Sequence, residues 1–182
     1  GMQAIFAPQA KKHGLSFNVH YTFPLPKQII TDPTRLKQIL QNLCSNAIKY
    51  TERGEVKLLV QWDNVQNKLT LAVHDSGAGL SKEHVRRLLM SMHQSRNNQM
   101  REGIGLGIAI TQQLTRLLGG ELGIQSTEGV GSQFIATIGC QLPDKVEWMT
   151  EYTAEKPAAP SVLADIPHLK GRVLLAEDNP VN

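Results

Sequence analysis

Alternation of apolar and polar residues marks the strands of the chain. The segment LSFNVHYTF, residues 15–23, alternates in this way and predicts a strand with one buried face. EVKLLVQWD and KLTLAVHD predict two further strands, which the polar connection NVQN joins as an antiparallel hairpin. ELGIQSTEG and GSQFIATIGCQL predict a second strand pair that closes the same domain.

Three other segments repeat their apolar residues at helical spacing. The first begins at Pro33, after Asp32 as N-cap, and ends near Thr51. SKEHVRRLLM predicts a second helix, capped by Ser81, and a third follows the glycines of GIGLG and stops at GG. Between them, SMHQSRNNQMRE predicts a polar loop of about a dozen residues, a length typical of functional loops.

The composition changes after the last predicted strand. Residues 1–142 have the length and apolar content of one complete domain. Residues 143–170 are rich in Pro, Ala, Glu and Lys without apolar periodicity, which predicts a linker. Residues 171–182, GRVLLAEDNPVN, form a short apolar strand that ends in two acids. The leading Gly-Met is typical of a tag remnant, so we expect a part of a longer protein.

Charge and cysteine content argue against several classes of protein. The 19 basic and 16 acidic residues are spread along the chain without a basic block, so nucleic acid is not an expected partner. Cys44 and Cys140 have no metal-ligand spacing, which favours a reducing cytosolic setting. No apolar run has the length of a membrane span, so we expect no membrane contact. We also expect this chain to be a monomer.

A row of polar residues follows the first predicted helix, opposite its apolar stripe. Asn42, Asn46 and Lys49 stand at i, i+4 and i+7. The row is consistent with an ordinary solvated face. It is also consistent with a site in which two amide oxygens bind Mg²⁺ while the ammonium contacts a phosphate.

Two glycine-containing motifs carry further candidate chemistry. In DSGAG, at a strand end, Asp75 can accept a hydrogen bond from an amine, and Gly77 and Gly79 can take positive φ and approach a flat ring. Alone, this motif is equally typical of a tight turn. GIGLG, residues 103–107, precedes a helix and suits a phosphate, but it matches neither the Rossmann nor the P-loop spacing.

In this order, the motifs resemble the catalytic ATP-binding domain of sensor histidine kinases, a branch of the superfamily of DNA gyrase, Hsp90 and MutL. NLCSNAIKYT is similar to the N box, DSGAG to the G1 box, EGIGLGI to the G2 box and EGVGSQF to the final glycine box. RVLLAEDNPVN resembles the start of a response-regulator receiver domain, with Glu177 and Asp178 as its acidic pair. Both resemblances together indicate a hybrid histidine kinase.

The resemblance implies an α/β (α+β) two-layer sandwich, with a Bergerat-type mixed β-sheet and helices packed on one face. It implies that ATP and Mg²⁺ bind between these layers. The γ-phosphate would pass to a histidine on a dimerisation domain of the same protein, with a receiver domain as a further partner. The domain would be cytoplasmic, in a parent protein at the inner membrane of a bacterium.

The N-box part of the resemblance assigns the metal and phosphate contacts. Asn42 and Asn46 would hold Mg²⁺, while Lys49 and Tyr50 would contact phosphates. Asn42 and Lys49 are the expected catalytic residues, because phosphoryl transfer needs positioning and charge neutralisation more than a protein nucleophile.

The glycine boxes supply the remaining nucleotide contacts. Asp75 would accept the adenine amine, and Ser132 would help through a water molecule. The other nucleotide-binding positions implied by the resemblance are Gly77, Gly79, Leu80, Gly103, Ile104, Gly105, Leu106 and Gly107.

Three alternatives stay open. Leu89 and Met92 stand where the family's F box has phenylalanines, which favours a nucleotide-binding signalling module without kinase activity. An ATPase of the gyrase or Hsp90 type would need a glutamate where Asn42 stands, because an amide cannot accept a proton at neutral pH. A domain without a ligand is the third alternative. None of the six histidines has the S/T-H-E/D context of an acceptor.

Overall fold

The computed structural model describes residues 1–94 and 106–151, apart from the side chains of residues 91–94 and 106. The described helices are α1 (Met2–Lys12), α2 (Pro33–Tyr50), α3 (Lys82–Gln94) and α4 (Leu106–Leu117). The described strands are β1 (Leu15–Tyr21), β2 (Leu25–Pro26), β3 (Gly54–Asp63), β4 (Lys68–Asp75), β5 (Glu121–Thr127), β6 (Gly131–Gly139) and β7 (Trp148–Met149).

The main sheet has five strands in the order β1-β3-β4-β6-β5. β1 runs parallel to β3, whereas the β3–β4, β4–β6 and β5–β6 pairs are antiparallel. Residues that pair across strands share a face of the sheet. The register therefore places Val56, Asp75 and Ser132 side by side on one face. The predicted hairpin and the predicted second strand pair are confirmed.

The same face carries the core. Its apolar residues, among them Leu58, Val73 and Ala136, pack in one cluster with buried residues of α1, α2 and α4, such as Phe6 and Leu43. Helices on one face of a mixed sheet are the predicted two-layer α/β sandwich, which the structure confirms.

Helix α2 forms as its sequence predicts. The Asp32 carboxylate accepts backbone N–H groups from Thr34 and Arg35 at 2.9 and 3.0 Å, and Pro33 occupies the first turn. The buried stripe includes Leu43 and Ala47. Burial of this stripe fixes the rotation of the helix and leaves the asparagine row on another side.

Two helices differ from the sequence-based expectation. Helix α1 was not predicted; it packs on β1 through Phe6, whose ring centroid lies 5.5 Å from that of Phe17. Helix α3 continues to Gln94, so the first four residues of the predicted loop are helical. Extending a formed helix by one residue costs little, which explains why a polar segment can join it.

The described part of the predicted linker, residues 143–151, contains β7. This strand pairs antiparallel with β2, and Lys27 forms an ion pair with Glu147 at 2.6 Å. The linker from 152 to 170 and the receiver-like segment 171–182 lie outside the described residues. In the described ranges, no helix has the length and apolar character needed to span a bilayer.

Candidate functional site

A cavity of about 460 Å³ lies between the helices and the end of the sheet where β4 stops. Its volume is within the usual range for small-molecule sites. The lining residues come from α2, β4 and the loop after it, α3, α4 and β6: Asn46, Ala47, Tyr50, Asp75, Ala78, Gly79, Leu80, His84, Arg87, Leu88, Ile108, Ser132 and Phe134.

Asp75 ends β4 and is the one buried acidic residue in the part of the chain that the structure describes, with 6% of its surface exposed. Its Oδ1 accepts the backbone N–H of Gly77 at 2.9 Å. Burial raises the pKa of this carboxyl above its ordinary value of 3.8, although hydrogen bonds from the backbone of Gly77 and Ser132 oppose the rise. Because burial destabilises the ionised carboxylate, a hydrogen-bond donor that enters the cavity would stabilise it.

This raised pKa predicts a pH dependence of folding stability in the absence of ligand. A group whose pKa is higher in the folded state stabilises the fold at low pH, and this contribution is lost as pH rises through the folded pKa. We expect the stability of wild type relative to Asp75→Asn to increase as pH falls from neutrality towards 3.8. Urea unfolding of both proteins across this window measures the difference, and a flat or decreasing difference would contradict the expectation.

Ser126 fixes the direction of the hydrogen bond made by the Ser132 hydroxyl, which is at the cavity. The Ser126 hydroxyl donates to the Gly131 carbonyl at 3.0 Å, and the Leu80 N–H donates to the Ser126 oxygen at 2.7 Å. Because the single Ser126 proton is used on Gly131, the Ser132 hydroxyl must be the donor in the 2.9 Å contact between the two serine oxygens. Ser132 then presents lone pairs, and no proton, to the cavity.

The glycines of DSGAG act differently from each other. Gly79 has φ +68°, as expected, and a Cβ there would collide with the Thr127 carbonyl. Gly77 does not have positive φ; a Cβ there would lie 2.9 Å from both the Asp75 carboxylate and the Tyr50 carbonyl. The expectation of positive φ at both glycines is thus wrong for Gly77, whose small size instead lets this loop pack against the end of α2.

The predicted asparagine row is only partly at the cavity. Asn46 and Tyr50 line it, whereas Asn42 and Lys49 are not among its lining residues within the described ranges. The Lys49 ammonium lies 5.2 Å from the centre of the exposed Tyr50 ring. Asn42 points its amide nitrogen at the Thr111 hydroxyl of α4, at 3.4 Å.

Only part of the predicted G2 box lies within the described residues. Gly103, Ile104 and Gly105 lie outside the described residues, and of Leu106 only the backbone is described, as the first residue of α4. Gly107 lies in the first turn of α4, where a Cβ would be 3.4 Å from the Asn46 amide nitrogen. This glycine lets the start of α4 approach the asparagine row closely.

Several lining residues were not predicted as site residues. His84 and Arg87 of α3 line the cavity, and Ile108 and Phe134 contribute to its apolar surface. The signal for the first two was available, since they stand at i and i+3 on the helix that follows DSGAG. Ile108 and Phe134 occur at helix and strand positions that equally predict core residues.

Two side chains of the predicted motifs, those of Cys44 and Leu89, pack in or against the core and do not line the cavity in the described part of the chain. Cys44, inside the N-box segment, is fully buried, and burial raises the pKa of its thiol to about 12. Such a thiol is unreactive and acts as a small apolar core residue. Leu89 of the altered F box is partly buried against the core, whereas the Met92 side chain lies outside the described residues.

Comparisons with known proteins point to one family. Residues 31–142 match the family described as histidine kinase-, DNA gyrase B-, and HSP90-like ATPase. The chain is 35% identical over 184 residues to the aerobic respiration control sensor protein ArcB of Escherichia coli (strain K12), covering 100% of this chain and 22% of ArcB. It is 35% identical over 136 residues to the hybrid signal transduction histidine kinase B of Dictyostelium discoideum, covering 72% of this chain and 7% of that protein.

A solved structure agrees with these sequence matches. Full-length ShkA, crystallised in complex with AMPPNP, superimposes with a TM-score of 0.65 at 29% identity, covering 78% of this chain and 29% of ShkA. The chain thus spans about a fifth or less of the curated relatives named above.

Proposed function

Since the chain belongs to the histidine kinase-, DNA gyrase B-, and HSP90-like ATPase family, we propose that its cavity binds Mg·ATP and that the longer protein transfers the γ-phosphate to a histidine on its own dimerisation domain. The observation that carries the proposal is the pair of acceptors in the cavity, Asp75 and Ser132. Two acceptors are complementary to a ligand whose edge donates hydrogen bonds.

The adenine base is the ligand part that fits these acceptors. Its exocyclic amine donates to the Asp75 carboxylate, and Ser132 accepts through a water molecule or directly. Ile108 and Phe134 offer apolar surface to the flat ring, and Gly79 lets the loop follow it. The donor of the base thereby faces the Asp75 carboxylate, and its ring faces meet the apolar lining.

The triphosphate belongs at the α2 side of the cavity. Asn46 and Tyr50 line this side, and the Lys49 ammonium lies 5.2 Å from the Tyr50 ring. The described residues contain no group of three or more His, Cys, Asp or Glu that could hold a metal ion. A site of neutral amide oxygens fits Mg²⁺ only together with phosphate oxygens, which supply the negative charge.

When bound, Mg²⁺ would neutralise charge on the transferring phosphoryl group. Asn46 and Asn42 would hold it, and Lys49 and Tyr50 would fix the phosphates. An amide at Asn42 cannot remove a proton from water, so the residues favour transfer to a protein acceptor over steady hydrolysis. The G2-box residues Gly103 to Gly107 complete the proposed phosphate contacts.

The remaining parts of the proposal concern the longer protein. We place the rest of the predicted linker 143–170, after strand β7, ahead of a receiver domain that starts at 171–182, in a hybrid kinase that also contains the dimerisation domain. Support comes from the ArcB match, which covers the whole of this chain, and from the hybrid kinase of Dictyostelium. A cytoplasmic position beneath a bacterial inner membrane is proposed by analogy with sensor kinases.

The 182-residue chain should bind Mg·ATP as a monomer without labelling itself. None of its six histidines has the context of an acceptor, and phosphoryl transfer requires an acceptor held in line. Incubation with ATP labelled at the γ-phosphate, followed by gel analysis, measures self-labelling. Addition of the dimerising helical domain of the longer protein should give slow labelling of that domain only.

Stable label on the 182-residue chain itself would contradict this expectation. Nucleotide binding without labelling of the added domain would instead favour a signalling module without kinase activity. Continuous phosphate release without the added domain would favour an ATPase.

A further inference from the structure

Thr111 is a fully buried polar residue of α4 that no part of the proposed site explains. Its hydroxyl donates to the Gly107 carbonyl one turn earlier, at 2.7 Å. A threonine hydroxyl has one proton, so this bond leaves the Thr111 oxygen able only to accept.

Because the Thr111 oxygen can only accept, it determines the orientation of the Asn42 carboxamide. The Asn42 amide nitrogen lies 3.4 Å from the Thr111 oxygen, across the contact between α2 and α4. A carboxamide can present either its oxygen or its NH₂ group, and the two orientations have the same shape. An oxygen that can only accept selects the NH₂ group, so the Asn42 Oδ1 must turn away from Thr111.

We propose that Thr111 is a positioning residue for the metal site: it sets the Asn42 carboxamide so that Oδ1 is available to Mg²⁺ of the bound nucleotide. The inference rests on the proposed function, since it assumes that Asn42 is a ligand. Helix α4 then acts on both asparagines, because Gly107, one turn before Thr111, approaches the Asn46 amide.

Thr115 provides a matched control on the same helix. It is also fully buried, and its hydroxyl donates to a backbone carbonyl of its own helix, that of Gln112, at 2.8 Å. Thr115 is not hydrogen-bonded to either asparagine in the described part of the chain. Replacing each threonine by valine therefore removes the same group from the same kind of environment, with Asn42 affected only at Thr111.

The test is calorimetric titration of a non-hydrolysable ATP analogue with and without Mg²⁺. We expect Thr111→Val to reduce the affinity gain from Mg²⁺ by about 3- to 10-fold, the usual range for one hydrogen bond, while the affinity without Mg²⁺ stays unchanged. Thr111→Ser keeps the hydroxyl and should restore the gain. Thr115→Val should keep the wild-type gain even if its melting temperature falls.

Asn42→Ala separates failure of this inference from failure of the proposed function. If Asn42→Ala loses the Mg²⁺ gain and Thr111→Val keeps it, Thr111 only packs and the inference is overturned. If Asn42→Ala also keeps the gain, Asn42 is not a ligand and the inference is overturned, whereas the proposed function fails only if the wild-type chain shows no nucleotide binding. Thr111→Ala, which leaves a small cavity, replaces Thr111→Val if the valine variant does not fold.

Discussion

GTP should bind this chain about 30- to 1,000-fold more weakly than ATP, the range expected when a buried hydrogen bond becomes a mismatch. The adenine amine donates to the Asp75 carboxylate, whereas guanine presents a carbonyl oxygen at the same ring position. The guanine carbonyl and the Asp75 carboxylate, which is 6% exposed, are then two acceptors that face each other. The buried carboxylate receives no hydrogen bond from the base. Calorimetry with non-hydrolysable ATP and GTP analogues measures the ratio.

Asp75→Asn provides the matched variant for this prediction. Asparagine keeps the size of the side chain, and its oxygen can still accept the Gly77 N–H, but its NH₂ group can turn towards the base. The variant should bind ATP more weakly and narrow the preference over GTP. Equal affinities of the wild-type chain for ATP and GTP would mean that DSGAG is only a turn.

Asn46→Ala should lower transfer to the added dimerisation domain by at least about 10- to 100-fold, the loss usual when a metal site is disturbed. Asn46 lines the cavity and lies next to Gly107, so its amide oxygen is at the junction of α2, α4 and the phosphate side. Alanine removes a ligand oxygen from a site that has few others. Initial rates of labelling at saturating Mg²⁺ measure the effect.

Two further variants control this measurement. Ser45→Ala changes the exposed neighbouring residue of the same helix and should transfer at the wild-type rate. Asn46→Asp has the size of asparagine but adds a charge beside the triphosphate, so it should also impair transfer. Wild-type rates in Asn46→Ala would show that the asparagine row is an ordinary solvated face.

Local patterns predicted the elements that depend on local physics. Helix α2 starts where Asp32 and Pro33 place it, and β3 and β4 meet around the polar connection between them. Helix α1 lacks such a signal because Pro8 interrupts its pattern. The β2–β7 pair consists of two-residue strands more than a hundred residues apart, so its stability comes from tertiary contacts that no local window contains.

The residues of the site also divide into those that local sequence predicts and those that only the tertiary structure identifies. Asp75 and Ser132 could be predicted to share a site because each stands in a motif that resembles a box of the kinase family, and the register of β4 and β6 places them side by side. Ser126 could not, because its role is to fix the hydrogen-bond direction of Ser132 through the fold. Thr111 likewise has the sequence context of a helix interior, and only its contact with Asn42 marks it.

Backbone amide shifts measured by NMR, as a non-hydrolysable ATP analogue and Mg²⁺ are added, test the central claim most directly. The proposed pose predicts saturable changes at residues 75–80, at Ser132 and in the second half of α2, with Asp75→Asn weakening the whole set. The outer face of the sheet, including Lys57 and Gln133, should stay unchanged. Shifts confined to that outer face, or no saturable shift, would contradict nucleotide binding in this cavity.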